Sequence, residues 1–136
     1  PVTRLDAAQM LLPLADDQLP APELTDTAEE AARRAAANRF FPLEKGCFAP
    51  RRTISRQEMA TVAMQACGVN YRNASSTMPV CTDVDRVANN YGTNAARALY
   101  FGFMQLEADG RFDPERPVSR KEAVEILDRV ADFAGL

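Results

Sequence analysis

Residues 102–122 read Gly-Phe-Met-Gln-Leu-Glu-Ala-Asp-Gly-Arg-Phe-Asp-Pro-Glu-Arg-Pro-Val-Ser-Arg-Lys-Glu. The Asp-Gly pair at 109–110 is typical of a tight turn, and Pro114 prevents a helix from continuing through it. Ser119 and Glu122 have the spacing of a capping box, in which the hydroxyl accepts a hydrogen bond from the amide three residues on and the carboxylate accepts one from the cap amide. The stretch therefore predicts a turn that leads into a helix.

Much of this stretch occurs a second time in the chain. Residues 31–64 align with residues 95–128 without a gap, at a constant offset of 64, and ten aligned positions are identical. The identical positions include a turn glycine, phenylalanine and proline and a Ser-Arg-x-Glu motif: Gly46/Gly110, Phe48/Phe112, Pro50/Pro114, Ser55/Ser119, Arg56/Arg120 and Glu58/Glu122. Residues 3–6, Thr-Arg-Leu-Asp, are a partial third copy of that motif. Self-similarity of this kind predicts a fold made of repeated units.

Each copy predicts a helix, a turn and a second helix. Apolar residues recur at helical spacing over 27–40 and 91–103, and again behind each capping box. We therefore expect an all-α protein. The expected parts of its single domain, residues 1–136, are a partial motif at 1–15, a repeat at 27–67, an inserted loop at 70–81 and a repeat at 82–133.

The composition excludes several classes of protein. The chain has 136 residues, 46% of them hydrophobic, and a net charge of −3, which is typical of one soluble globular domain. Its 16 basic residues are outnumbered by 19 acidic ones, so we expect no nucleic-acid partner. Histidine is absent, which excludes histidine-based catalysis and removes the commonest zinc ligand. We expect no metal, no cofactor, no catalytic residue and no membrane insertion.

The region from Tyr91 to Val130 resembles the S-layer homology module. The pattern of that family is an aromatic residue with an alanine-rich helix, then Gly-hydrophobic-hydrophobic, Asp-Gly-x-Phe-x-Pro and a Thr/Ser-Arg-x-Glu helix. Residues 102–104, 109–114 and 119–122 match its last three elements in register.

The resemblance implies a pseudo-threefold bundle of helix-turn-helix repeats with no enzymatic activity. It implies a secreted protein at the bacterial cell surface or in the cell wall. There the module would anchor a larger, fused surface protein by binding an anionic, pyruvylated secondary cell-wall polysaccharide. A protein–protein interaction or spacer module without glycan binding stays open as the alternative. Departures from the pattern at Thr27, Asn38, Lys45 and Leu106 favour that alternative.

Three arginines are the first candidates for ligand contacts. Arg4, Arg56 and Arg120 each follow the N-cap of a predicted helix, where free amides and the helix dipole favour an anion. A guanidinium at that position adds a two-pronged donor that suits a compact carboxylate such as a pyruvate ketal. The same arginine can instead pair with a carboxylate of the neighbouring repeat and hold the bundle together. The sequence leaves both interpretations open.

Three further residues complete the predicted ligand-binding set. Gly46 and Gly110 are expected to supply left-handed turn residues, although an exposed glycine amide could also meet the sugar. Tyr91 stands at the aromatic position of the family pattern, so the resemblance implies that it lines a glycan groove. Phe48 and Phe112 are expected to fill the core beneath each turn.

Two observations are less specific. Between Arg33 and Arg56 the chain has seven cations and one acid, a basic zone that could receive an anionic polymer or form a solvated face. The three cysteines, Cys47, Cys67 and Cys81, permit one disulfide with a free thiol or three thiols, and the sequence does not decide between them.

Overall fold

The computed structural model describes residues 1–68, 81–88 and 91–135. Within these residues the fold has five α-helices, two short 3₁₀ turns and no β-strand, so the prediction of an all-α protein is confirmed for the described part. The helices are α1 (Arg4–Met10), α2 (Glu30–Ala37), α3 (Arg56–Cys67), α4 (Gly92–Tyr100) and α5 (Arg120–Phe133), and the 3₁₀ turns are Leu12–Leu14 and Val84–Arg86.

Helices α1, α3 and α5 begin where the capping motifs predict. The hydroxyls of Thr3, Ser55 and Ser119 each accept a hydrogen bond from the amide three residues on. The reciprocal half of the prediction is wrong for two of them. Among the described residues the box closes only at Thr3, and the carboxylates of Glu58 and Glu122 bind arginines instead. A guanidinium offers the carboxylate a full positive charge as well as hydrogen-bond donors, whereas the cap amide is neutral.

The segments just before α1, α3 and α5 are joined by a closed ring of backbone hydrogen bonds. The amide of Val2 donates to the carbonyl of Val118 (2.8 Å), Val118 donates to Ile54 (2.9 Å), and Ile54 donates back to Val2 (3.0 Å). All three side chains are fully buried. The ring brings the amino-terminal ends of the three helices together at one point of the core.

The remaining helices pack on the outside of these three. Helix α2 packs against α1, and α4 packs against α3, while α5 contacts both α1 and α3. The two outer helices are shorter than the predicted spans 27–40 and 91–103. Each ends before a residue with positive φ, Arg39 at +59° and Gly102 at +78°, because a left-handed residue breaks the helical hydrogen-bond ladder.

The turns that follow α2 and α4 are closed over the core by aromatic side chains. Phe48 and Phe112 are fully buried, which confirms their predicted role beneath the turns. Phe48 also makes an edge contact with Phe41, their ring centroids being 5.3 Å apart. Within the described ranges, no helix combines the length and the apolar character that crossing a membrane requires.

The three cysteines are free thiols in the described part of the chain. Cys67 is buried and its thiol donates to the carbonyl of Met64 (3.2 Å). At Cys81, burial is the main cause that raises the pKa of the thiol. The predicted inserted loop at 70–81 lies, except for Cys81, outside the described residues.

Candidate functional site

Arg4 enters the turn that follows α2. Its Nε donates to the carbonyl oxygen of Phe48 (2.6 Å) and its Nη2 to that of Pro42 (2.9 Å). The guanidinium also lies over the rings of Phe41 and Phe48, at 4.9 and 5.1 Å from their centroids. Only 3% of the residue is exposed. Burial lowers the pKa of Arg4, and the neighbouring positive charge of Arg52 lowers it further.

Arg56 enters the turn that follows α4 in the same way. Its Nε donates to the carbonyl oxygen of Phe112 (2.6 Å) and its Nη2 to that of Gln105 (2.7 Å). It too is 3% exposed, and its guanidinium lies 5.1 Å from the centroid of the Phe112 ring. Its Nη1 makes a close ion pair with Glu122. These contacts fasten α3 to a turn about fifty residues away along the chain.

An aspartate holds each of these turns from the other side. The two carboxylate oxygens of Asp26 accept from the amides of Phe48 (2.9 Å) and Ala49 (2.8 Å). Asp83 does the same for the amides of Phe112 and Asp113, both at 2.8 Å. The same phenylalanine thus donates to an aspartate through its amide and accepts from an arginine through its carbonyl.

The charges of these aspartates are stabilised by the amides that they hold. The amides of Phe48 and Ala49 lower the pKa of Asp26. Burial opposes the charge of Asp83, but the amides of Phe112 and Asp113 outweigh it and the pKa of Asp83 is also lowered.

Neither aspartate was among the residues predicted from the sequence. A signal was present, because Thr25-Asp26 and Thr82-Asp83 are matching dipeptides. Their offset is 57 rather than 64, so an alignment without gaps does not pair them. The threonines mark the same position in each turn, since the amide of Thr25 donates to Gly46 (3.2 Å) and that of Thr82 to Gly110 (3.4 Å).

Gly46 and Gly110 have the backbone conformation that the sequence predicted. Their φ angles are +79° and +83°, in the left-handed region that a side chain disfavours. Their role in the turn is therefore confirmed. A contact between their amides and a sugar stays a prediction.

Replacing Gly110 by Ala is expected to lower the free energy of unfolding by about 1–2 kcal/mol, because a Cβ at this φ is strained even though nothing lies within 4 Å of it. The control is Gly92→Ala in the first turn of α4, where φ is not positive and the space is open. We expect that change to be neutral or stabilising by up to about 1 kcal/mol. Urea unfolding followed by circular dichroism measures both, and equal effects would contradict the prediction.

Two pockets lie beside the buried arginines. The Arg4 pocket, of about 70 Å³, is lined by Arg4, Pro42, Glu44, Arg52 and Tyr91, among others. It shares Pro42 and Tyr91 with a larger cleft of about 480 Å³. The fold therefore brings two of the predicted site residues, Arg4 and Tyr91, into the lining of one pocket. Burial raises the pKa of the Tyr91 hydroxyl, and the nearby Glu58 raises it further.

The Arg56 pocket has a different lining. Its volume is about 140 Å³, and its polar lining residues are Arg56, Gln105, Glu107, Glu122, Glu125 and Arg129. It contains no aromatic side chain among the described residues. The two pockets are therefore built around matching arginines but are not alike.

Arg120 lies apart from both pockets. Its side chain is 67% exposed and its ion-pair contact within the described residues is with Asp6, at 3.7 Å. Ligand binding by Arg4, Arg56 and Arg120 stays a prediction. The contacts that Arg4 and Arg56 make inside the chain are those expected for arginines that hold the bundle together.

Comparison with known protein families gives a match for one part of the chain. The sequence model of the S-layer homology domain family matches residues 82–124. The matched segment contains Asp83, the whole of α4, the turn that Arg56 enters and the start of α5. A comparison with curated proteins gives no match.

Proposed function

We propose that the protein anchors a larger surface protein to a bacterial cell wall by binding an anionic, pyruvylated wall polysaccharide. The match of residues 82–124 to the S-layer homology domain family supports this proposal. Domains of this family are generally cell-wall anchoring modules and are typically non-catalytic. The presence of such a domain implies that a protein associates with the cell surface or the cell wall.

The observation that carries the proposal is the shared pocket of Arg4 and Tyr91. A pyruvate ketal places a compact carboxylate and a methyl group on a sugar ring. Guanidinium groups suit the carboxylate, and an aromatic side chain at the pocket edge suits the apolar face of the sugar. The pocket has two arginines, Arg4 and Arg52, in its lining and the larger cleft beside it has room for the sugar.

We extend the proposal to the architecture. The partial motif at 1–15 and the units 27–67 and 82–133 are proposed to be three related parts around a pseudo-threefold axis. The backbone ring of Val2, Ile54 and Val118 supports this, since each segment donates to one neighbour and accepts from the other. The matching entries of Arg4 and Arg56 into successive turns also support it.

The test is retention on purified, pyruvylated secondary cell-wall polysaccharide. We expect the intact protein to bind it, and to lose most of that binding when mild acid removes the ketal or when salt is raised to 1 M, because screening weakens exposed ionic contacts. Equal binding before and after ketal removal would contradict the proposal. Sedimentation with the polysaccharide, with bovine serum albumin as a non-binding control, gives the bound fraction.

A second candidate is the protein-interaction or spacer module. One observation favours it: the guanidiniums of Arg4 and Arg56 are almost fully buried and donate to backbone carbonyls of this chain. If the protein has this second function, we expect the correctly folded protein not to bind the polysaccharide. The same sedimentation experiment therefore separates the two functions.

A further inference from the structure

The arginines that follow the three helix caps form a cycle of ion pairs between α1, α3 and α5. The pairs lead from α1 to α3, from α3 to α5 and from α5 back to α1, and they are Arg4 with Glu58, Arg56 with Glu122 and Arg120 with Asp6. Each guanidinium thus faces a carboxylate of the next helix in the cycle. Arg120 therefore has the same place at the junction of α5 and α1 that Arg4 has at the junction of α1 and α3.

Two of these junctions also contain a turn that the arginine enters. Arg4 enters the turn of residues 42–50, which leads into α3, and Arg56 enters the turn of residues 105–114, which leads into α5. In both cases the turn leads into the helix whose carboxylate the arginine meets. Arg120 meets a carboxylate of α1, so the turn that matches its junction is one that leads into α1.

The first two backbone amides of α1 and α3 are held by the same turn segments. The four hydrogen bonds are Arg4 to the carbonyl of Arg52 (2.8 Å), Leu5 to that of Pro50 (3.0 Å), Arg56 to that of Arg116 (3.0 Å) and Gln57 to that of Pro114 (3.0 Å). In the part of the chain that the structure describes, no backbone carbonyl accepts from the corresponding amides of Arg120 and Lys121. These two amides of α5 are thus directed to a group outside the described residues.

The outer face of α5 differs in exposure from that of α3. Helix α4 packs on α3, where Ala60 and Met64 are buried. At the offset of 64 their counterparts on α5 are Val124, which is 43% exposed, and Asp128, which is also exposed. The arginines at the start of the two helices show the same contrast described above. The residues that an outer helix covers on α3 are therefore open on α5.

We propose that the face of α5 formed by Arg120, Val124 and Asp128 docks a further helix–turn unit of the same kind as residues 92–114. The turn of this unit gives backbone carbonyls to Arg120, and its helix packs on Val124 as α4 packs on α3. The unit is joined to the amino-terminal side of α1, because Arg120 faces α1 and each turn leads into the helix that its arginine faces. The inference does not depend on polysaccharide binding, so its failure would leave the anchoring proposal in place.

The acidic residues of α5 define the chemistry of the docked helix. Glu125 and Asp128 stand where α3 has Thr61 and Met64, and both are exposed. On α3, the hydroxyl of Thr61 accepts from the amide nitrogen of the Asn94 side chain on α4, at 3.3 Å. The residue of the docked helix at the place of Asn94 therefore faces Glu125, and a lysine or arginine there pairs with it. The partner is a helix–turn unit with a basic side chain on its inner face.

The experiment supplies such a unit to the chain. A second copy of residues 82–116 is joined ahead of Pro1, so that the joint repeats the Arg116-Pro117 sequence. In this extended chain, Arg120→Met is expected to raise the ratio of unfolded to folded protein by at least about 100-fold, as for a buried charged group. In the 136-residue chain the same change is expected to raise it by less than about threefold. Urea unfolding followed by circular dichroism measures both ratios, and an equally small effect in both chains would overturn the proposal.

Hydrogen exchange locates the docked unit. The exchange rates of the Arg120 and Lys121 amides, relative to those of Arg56 and Gln57, are expected to fall at least about tenfold in the extended chain, because carbonyls of the added turn accept from them. The amides of Arg56 and Gln57 are the internal reference, since they are hydrogen-bonded already. Unchanged relative rates would mean that the added unit does not lie on α5, and would overturn the proposal.

The charge of the partner has its own test. Within the added copy, Asn94→Lys is expected to give a ratio of unfolded to folded protein at least about threefold lower than Asn94→Glu, because Glu125 attracts the first and repels the second. Glu125→Gln in the extended chain is expected to remove this difference. Equal ratios for the two variants, with Glu125 in place, would overturn the assigned chemistry of the docked helix.

A second copy of the chain is the competing occupant of this face. Analytical ultracentrifugation of the 136-residue chain is expected to show a monomer at micromolar concentration. A dimer that Arg120→Met dissociates would assign the face to a second copy and would overturn the proposal.

Discussion

Replacing Arg56 by Met is expected to lower the free energy of unfolding by about 3–5 kcal/mol, the cost of removing one partner from a buried charged cluster. The change leaves the carbonyls of Phe112 and Gln105 without this donor and leaves Glu122 without its closest positive charge. Methionine keeps most of the side-chain volume, so the loss reports the polar contacts more than a cavity. Urea denaturation at neutral pH, followed by circular dichroism, measures it.

Arg120→Met is the matched control. The residue has the same place in its Ser-Arg-x-Glu motif, but its side chain is 67% exposed and its contact with Asp6 spans 3.7 Å. We expect a change of no more than about 0.5 kcal/mol, as for most surface positions. If the two variants lose equal stability, the motif position rather than burial in the turn sets the effect, and our account of Arg56 is wrong.

Replacing Asp83 by Ala is expected to lower the free energy of unfolding by about 2–4 kcal/mol, because two amides lose their charged acceptor. Asp83 is itself buried, and the turn that it holds includes Asp113 in the left-handed region, at φ +60°. Asp128→Ala, an exposed aspartate on α5, is the control and is expected to change stability by less than about 0.5 kcal/mol. Urea unfolding compares the two.

The contribution of Asp83 also depends on pH in a defined direction. Its pKa is lower in the folded protein than in the unfolded chain, so its ionised form favours folding. The stabilisation is complete above the unfolded pKa of about 3.9 and is lost as pH falls through the lower folded pKa. The stability difference between wild-type protein and Asp83→Ala should therefore shrink between pH 4 and pH 2. A difference that grows in this interval would contradict the assignment.

The helix starts and the turns could be predicted because their determinants are local. The hydroxyl caps at Thr3, Ser55 and Ser119 act on amides three residues away, and the two turn glycines act through their own φ angles. Even here a distant group changed the outcome. The carboxylates of Glu58 and Glu122 bind arginines instead of their cap amides, and Arg4 and Arg56 are brought to them from distant parts of the chain.

The candidate site was predicted less well, for a physical reason. The Ser-Arg-x-Glu motif made Arg4, Arg56 and Arg120 equivalent candidates, whereas the fold buries the first two and leaves the third exposed. The sequence did not indicate Asp26 and Asp83, because a whole helix separates each of them along the chain from the turn that it holds. Local motifs identify which side chains have the right chemistry, but they do not say which neighbours those side chains meet.

The sequence by itself determined that the chain is helical, where its capped helices begin, where its turns lie and which phenylalanines fill the core. These features depend on hydrogen bonds over three or four residues and on apolar periodicity. Only the tertiary structure decided what the arginines face. Arg4 meets a carbonyl 44 residues away and Arg56 a carboxylate 66 residues away. Which charged groups line each pocket depends on such distant pairs, because side chains far apart in the chain meet only when the helices pack together.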